Sequence, residues 1–239
     1  MNKENDILIK GIVESSLLDW DKKIVTTIYL PKCNFRCPFC HNWELIETPE
    51  KFNTVTLTQL DRYLRSNQDF LDGVCITGGE PTLYKSLTEF IEHIHDLGLQ
   101  VKLDTNGTNP SLLKELIDDQ KVDYIAMDVK GPVDERYNRL CGINVNLKKI
   151  KESIKIIRSS SIEYEFRTTI VPTLLNDQDI YDICSLLSGA KKYALQQFVP
   201  NHARDEQLRK IKPFDNEALQ HIKEGIESNF THVILRGLK

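Results

Sequence analysis

Ile24-Val25-Thr26-Thr27-Ile28-Tyr29-Leu30 is a β-prone run, and Pro31-Lys32-Cys33-Asn34-Phe35-Arg36-Cys37-Pro38-Phe39-Cys40-His41-Asn42 follows it directly. Cys33, Cys37 and Cys40, three of the six cysteines, fall at CxxxCxxC spacing. The Pro, Asn and Arg between them argue against a buried strand or a regular helix. The segment reads as a ligand loop hung on the end of a core strand.

Four uses of such a loop compete. A disulfide framework belongs to short secreted chains, whereas this one has 239 residues and opens Met1-Asn2-Lys3-Glu4-Asn5-Asp6, with no apolar secretory core. Zinc needs a fourth ligand, and His41, beside Cys40, is badly placed to reach the same ion without straining the loop. Cys37-Pro38-Phe39-Cys40-His41 matches the CxxCH pattern of c-type haem, but that attachment needs an exported apoprotein and leaves Cys33 idle. Thiolates are preferred ligands of iron–sulfur clusters, and a cubane of four irons has four coordination sites. Three cysteines would leave one iron open for a small molecule, as a catalytic zinc keeps one position free.

Lys and Arg number 31 against 35 Asp and Glu, so the chain carries no basic surplus of the kind that marks a nucleic-acid surface. No apolar run approaches the ~18 residues of a membrane span, and a cytoplasmic protein without membrane association is expected. Cys75, Cys141 and Cys184 stand singly in apolar or helical contexts and read as buried thiols. In the absence of a second cysteine group, a single iron–sulfur cluster is expected.

Outward from the loop, β-prone and helical stretches alternate. Residues 7–13 read as an N-terminal strand before the core strand at 24–30. Residues 56–65 look helical, and 73–77 form a short apolar strand ending in Gly78-Gly79-Glu80-Pro81. Leu87, Phe90, Ile91, Ile94 and Leu97 recur at helical spacing, with Gly98 as the stop. A strand at 100–103 ends in Asp104-Thr105-Asn106-Gly107, and after a helix at 112–117 a strand at 124–127 ends in Asp128-Val129-Lys130. Leu147, Ile150, Ile154 and Ile157 mark a further amphipathic helix. A strand at 163–170 precedes a helix capped by Asn176, and the sixth core strand, 193–199, stops at Pro200. Residues 201–213 are polar enough for a mobile loop; a helix capped by Asp215 and a strand at 232–235 follow. The pattern predicts an α/β fold: a partial (βα)6 TIM-type barrel with an extra N-terminal strand and a short C-terminal helix/strand extension. One domain is expected over 1–239, with its core at about 24–200 and the extension at 201–239. Because active sites of such barrels lie at the C-terminal strand ends, the cysteine loop and the polar strand-end segments should converge on one pocket.

Each of these segments has a plain structural reading. Gly78-Gly79 suits a tight turn, Asp104-Thr105-Asn106-Gly107 an Asx-type turn, and Asp128 with Lys130 a surface pair. Arg167 would make a salt bridge outside the barrel; pointing inward, it needs an anion. His202 could be simply solvated, and Phe39 packs the loop down.

CxxxCxxC with an aromatic before its last cysteine resembles the signature of the radical S-adenosylmethionine (SAM) enzymes. From Leu17 to about Pro200, Leu17-Leu18-Asp19-Trp20, CNFRCPFCHN, ITGGEPT, LDTNG, AMDVKGP, Leu140-Cys141-Gly142, FRTTIVP and LQQFVP are similar to activating proteins of anaerobic ribonucleoside-triphosphate reductase, a glycyl-radical enzyme. The sequence departs from that pattern at Lys32, where glycine usually precedes the first cysteine, and at Trp20-Asp21, where Tyr-Pro is common. The resemblance implies a 4Fe-4S cluster on Cys33, Cys37 and Cys40, with SAM chelating the open iron and cleaved reductively to a 5′-deoxyadenosyl radical. It further implies that Gly78, Gly79 and Glu80 receive the SAM ammonium, and that Asp128 and Lys130 meet its ribose and carboxylate. Phe39 would offer its backbone to the adenine, Arg167 would face the carboxylate, and His202 would touch the ribose. Asn106 lies in the segment beside SAM, and Asp104 and Thr105 would hold a monovalent cation near the carboxylate. The implied partners are a glycyl-radical enzyme as substrate and a flavodoxin- or ferredoxin-type electron donor. The alternatives are a small-molecule radical SAM enzyme similar to the deazaguanine synthases, or a non-catalytic metal or redox module. No protein acid, base or nucleophile is expected, since the cofactors carry the chemistry.

Overall fold

The computed structural model describes residues 6–238. β1 (Gly11–Ser16) pairs antiparallel with β2 (Val25–Leu30), and every later strand joins in parallel and in chain order. These are β3 (Gly73–Gly78), β4 (Gln100–Thr105), β5 (Tyr124–Asp128), β6 (Glu163–Ile170), β7 (Lys192–Gln197) and β8 (His232–Arg236). The helices are α1 (Trp43–Glu47), α2 (Leu57–Asn67), α3 (Leu87–Asp96), α4 (Pro110–Asp118), α5 (Arg136–Cys141), α6 (Leu147–Ser159), α7 (Asp177–Leu187) and α8 (Asn216–Ile226). The result is a partial TIM-type barrel with β1 and β8 as its two edges. Among the described residues no helix is long and apolar enough to cross a membrane.

The expected alternation is present, with instructive shifts. β1 begins later than the expected 7–13, because the ladder to β2 starts at Gly11 opposite Tyr29; Ile9 instead makes an isolated bridge to Val55. Helix starts follow local chemistry. Thr56 and Asn176 form capping boxes with Gln59 and Asp179, while Asn109, Asn146 and Asp215 accept from the first turns of α4, α6 and α8. Each such cap is worth about 1 kcal/mol.

Two apolar layers position the site. The larger lies between sheet and helices and includes Leu103, Ile125 and Phe166 from the outer sheet face with Ile94, Leu116 and Ile154 from the helices. A smaller one, Trp20, Val25, Cys75, Tyr124 and Ala126, fills the barrel interior. Because strand side chains alternate, Lys102 and Asp104 share one face of β4, and Glu165 and Arg167 share one face of β6. Charged residues therefore occupy the lumen above and below the small apolar plug.

Candidate functional site

The cysteine loop is shaped by backbone contacts from three directions. β3 ends in Gly78, whose φ of +110° lies where a side chain is strained. The Gly79 N–H then donates to the Leu30 carbonyl at 2.7 Å, and the Glu80 N–H to the Lys32 carbonyl at 2.6 Å. A Cβ on Gly79 would stand 2.1 Å from the Lys32 oxygen, so glycine is required by this close approach. From a second side, the Arg36 N–H donates to the Cys141 carbonyl at 2.8 Å, where α5 ends, and a Cβ on Gly142 would meet the Arg36 oxygen at 2.2 Å. From outside, the Asp205 N–H donates to Pro38 O at 2.8 Å and Arg204 Nη1 to Arg36 O at 3.0 Å, while His41 Nε2 lies 2.8 Å from Val199 O. The stretch read as a mobile polar loop thus contains short 3-10 turns and buries Ala203 and Leu208 against the molecule.

Inside this frame lies a cavity of about 290 Å³ lined by Cys33, Cys37 and Cys40 together with the strand ends. Burial pushes the thiol of Cys33 up to about 12 and that of Cys40 up to about 11, so loading a metal must displace their protons. Cys37 differs: a hydrogen bond from the Cys141 thiol holds it below the ordinary thiol value. The zinc alternative finds no support in His41, whose Nε2 is engaged with the Val199 carbonyl.

Across the cavity runs a chain of charges. Lys102 Nζ lies 3.0 Å from Asp104 Oδ1, Arg167 Nη1 3.0 Å from Asp104 Oδ2, Arg167 Nε 2.9 Å from Asp128 Oδ1, and Lys130 Nζ 3.1 Å from Asp128 Oδ2. Burial works to raise both carboxyls, yet Arg167, with Lys102 beside Asp104 and Lys130 beside Asp128, holds them below the usual carboxylate value. Asp104 Oδ1 is buried and has no hydrogen bond among the described residues; Lys102 Nζ, 3.0 Å away, is its ion-pair partner. The ammonium of Lys102 donates to Asp19 O at 2.6 Å.

Of the residues expected in the pocket, Phe39, Gly78, Gly79, Asp104, Thr105, Asn106, Asp128, Lys130 and Arg167 line this cavity. Arg167 points inward, and the anions it meets are Asp104 and Asp128 of the chain itself rather than an outside partner. Two of the expected residues, Glu80 and His202, are not among those lining the cavity. Glu80 is fully enclosed, and its carboxylate accepts from Thr82 N–H at 3.1 Å, Thr82 Oγ1 at 2.5 Å, Thr105 Oγ1 at 2.8 Å and Asn106 N–H at 2.6 Å. Its charge braces two strand ends instead of facing the cavity. His202 is exposed on a 3-10 turn and does not line the cavity. Sequence reasoning missed Asp19, Tyr29, Thr77, Thr169 and Gln196 as lining residues. Inward alternation along the core strands was the available signal for the last four; Asp19 arrives from the loop between β1 and β2.

Residues 27–187 match the sequence family described as the Radical SAM superfamily. A Methanocaldococcus jannaschii protein named as a glycyl-radical enzyme activating enzyme is 35% identical over 237 residues, covering 96% of this chain and 95% of its own length. The pyruvate formate-lyase-activating enzyme of Clostridium pasteurianum is 22% identical, over 81% of this chain and 86% of that protein. Among solved structures, Streptococcus suis SuiB bound to S-adenosylmethionine superposes with a TM-score of 0.67 at 16% identity. That likeness covers 87% of this chain but 48% of SuiB, and it shows the fold. The chain belongs to the radical SAM superfamily, which implies a 4Fe-4S cluster and S-adenosylmethionine as its cofactors.

Proposed function

We propose that the chain activates a glycyl-radical enzyme, with Cys33, Cys37 and Cys40 each binding one iron of the cluster. The observation that carries this reading is the near end-to-end similarity to the Methanocaldococcus jannaschii protein, together with three thiols on the wall of a single cavity. When bound, the cluster and SAM supply the one-electron chemistry that yields the hydrogen-abstracting species.

The chain's own residues bind and orient. Gly78 and Gly79 bring bare backbone to the cavity wall beside Cys33, where an ammonium can meet carbonyl oxygens. Lys130 and Arg167 are the cations available to the SAM carboxylate, and Asp128 and Asn106 are the acceptors available to its hydroxyl groups. Phe39 closes the adenine side, with Lys130 Nζ 6.0 Å from its ring centroid. Asp104 already has Lys102 and Arg167 as cationic partners. A monovalent cation at Asp104 and Thr105 would have to compete with the Lys102 ammonium, 3.0 Å from Asp104 Oδ1. Electrons would come from a flavodoxin- or ferredoxin-type donor, and the substrate would be a protein loop bearing the glycine.

The test is anaerobic reconstitution with iron, sulfide and a strong reductant. SAM should be converted to 5′-deoxyadenosine, and a glycyl radical should appear by electron paramagnetic resonance only when a glycyl-radical enzyme such as anaerobic ribonucleotide reductase is added. An intact cluster without SAM cleavage would refute catalysis. Turnover of a purine precursor with no protein radical would select the small-molecule reading instead.

A further inference from the structure

Part of the cavity wall is claimed by neither the cysteines nor the residues assigned to SAM. Tyr29 on β2 stands opposite Thr77 on β3, and Thr169 on β6 stands opposite Gln196 on β7; all four line the cavity. The Thr77 hydroxyl is engaged with Asp104 Oδ2 at 3.1 Å. The Tyr29 hydroxyl, the Thr169 hydroxyl and the Gln196 carboxamide have no hydrogen bond among the described residues. Because β2 and β7 each lie one strand in from the edges β1 and β8, Tyr29 and Gln196 flank the side on which the sheet stays open.

The charges on the same wall narrow the chemistry of an occupant. Asp19, Asp104 and Asp128 face Lys130 and Arg167, and both cations already hold carboxylates of the chain. A nucleoside polyphosphate would find no spare cation there. A peptide makes no such demand. Its amides ask for donors and acceptors, and a phenol, a hydroxyl and a carboxamide each offer both.

We infer that Tyr29, Thr169 and Gln196 bind the backbone amides beside the substrate glycine, and so select a peptide segment over a nucleotide. The inference rests on the reading that the chain activates a glycyl-radical enzyme. Glycine has no side chain to grip, so the peptide units flanking it are the available handles. Polar groups that pair with those units also discriminate against an occupant that leaves them unpaired.

The experiment is equilibrium binding to the anaerobically reconstituted full chain, with SAM and without reductant. The probes are a capped peptide spanning the radical-site glycine of an anaerobic ribonucleotide reductase, the same peptide with the glycine amide replaced by an ester, and GTP. Tyr29→Phe, Thr169→Val and Gln196→Leu should each bind the amide peptide about fivefold more weakly than the wild type, the loss of one hydrogen bond. Thr169→Ser, which keeps the hydroxyl, should recover most of its share. Ester replacement should weaken binding to the wild type by a similar factor and cost at least one of the three variants nothing further, because that bond is already gone. Unchanged peptide affinity in all three variants overturns the inference. So does an equal loss on ester replacement in the wild type and every variant, which would make these residues packing groups only. A wild type that binds GTP and not the peptide would sink the activase reading itself, a distinguishable failure.

Discussion

Two charge clusters share the lumen of the barrel, each lining a different cavity, and they are built differently. In the lower cluster Glu165 is held by Arg236 at 2.5 and 2.9 Å, with Lys192 3.7 Å away, and Asp21 pairs with the same two cations. Two carboxylates thus meet two cations, and Tyr124 adds a hydroxyl donor to Glu165 at 3.2 Å. In the upper cluster Asp104 and Asp128 meet three cations, Lys102, Arg167 and Lys130, and among the described residues one buried carboxylate oxygen, Asp104 Oδ1, has no hydrogen bond. The lower cluster is internally matched and closes the barrel between β8 and the loop before β2. The upper one sets its ion pairs, Arg167 and Lys130 with Asp104 and Asp128, on the wall of the cavity that the three cysteines share. The alternation of a strand places both kinds of cluster, as Glu165 and Arg167 show two residues apart on β6; which cavity the side chains line decides what each cluster can meet.

The largest expected effect falls on the cysteines. Cys37→Ala should abolish both the brown absorbance of the reconstituted protein and SAM cleavage; cleavage retained without that cysteine would remove the cluster from this end of the barrel. Next, Arg167→Met leaves Asp104 and Asp128 without their shared partner. It should cost about 3–5 kcal/mol by denaturant titration and weaken SAM binding measured by calorimetry. Arg236→Met should cost less, about 2 kcal/mol, because Lys192 remains near Glu165. Its SAM affinity should be that of the wild type. A loss of affinity equal to that of Arg167→Met would erase the distinction between the two clusters. The smallest effect concerns acid. Asp128 is held below its ordinary value of 3.8 in the folded protein, so its stabilising contribution is complete above that value and is lost as pH falls through its lower folded value. The stability difference between wild type and Asp128→Asn should stay flat from neutral pH down to about 4 and shrink only below it. A difference that already shrinks at higher pH would show that Arg167 and Lys130 do not hold this carboxylate.

The barrel and the rim were legible because each strand ends at a polar segment, and parallel topology leaves those segments one place to meet. Local chemistry also announced the helix caps at Asn176 and Asp215. Pairings between distant segments were not legible. Arg167 and Asp104 are 63 residues apart, and nothing local indicates that the arginine's anion lies within the chain. Glu80 looked like a cavity charge because it follows two glycines. Its direction is set by donors from Thr82, Thr105 and Asn106, which sequence order does not bring together. The six-residue α5, too short for a periodic stripe, was invisible, and with it the placement of Cys141.

The clasp over the cysteine loop also dictates an order of events during synthesis. His41 and Val199 are 158 residues apart, and Arg36 and Arg204 are 168 apart. A ribosome that has just made the loop has not yet made the residues that hold it from outside. The loop can settle into its final shape only after β7 and the turns beyond it have emerged, and metal loading into a finished site waits on that late segment.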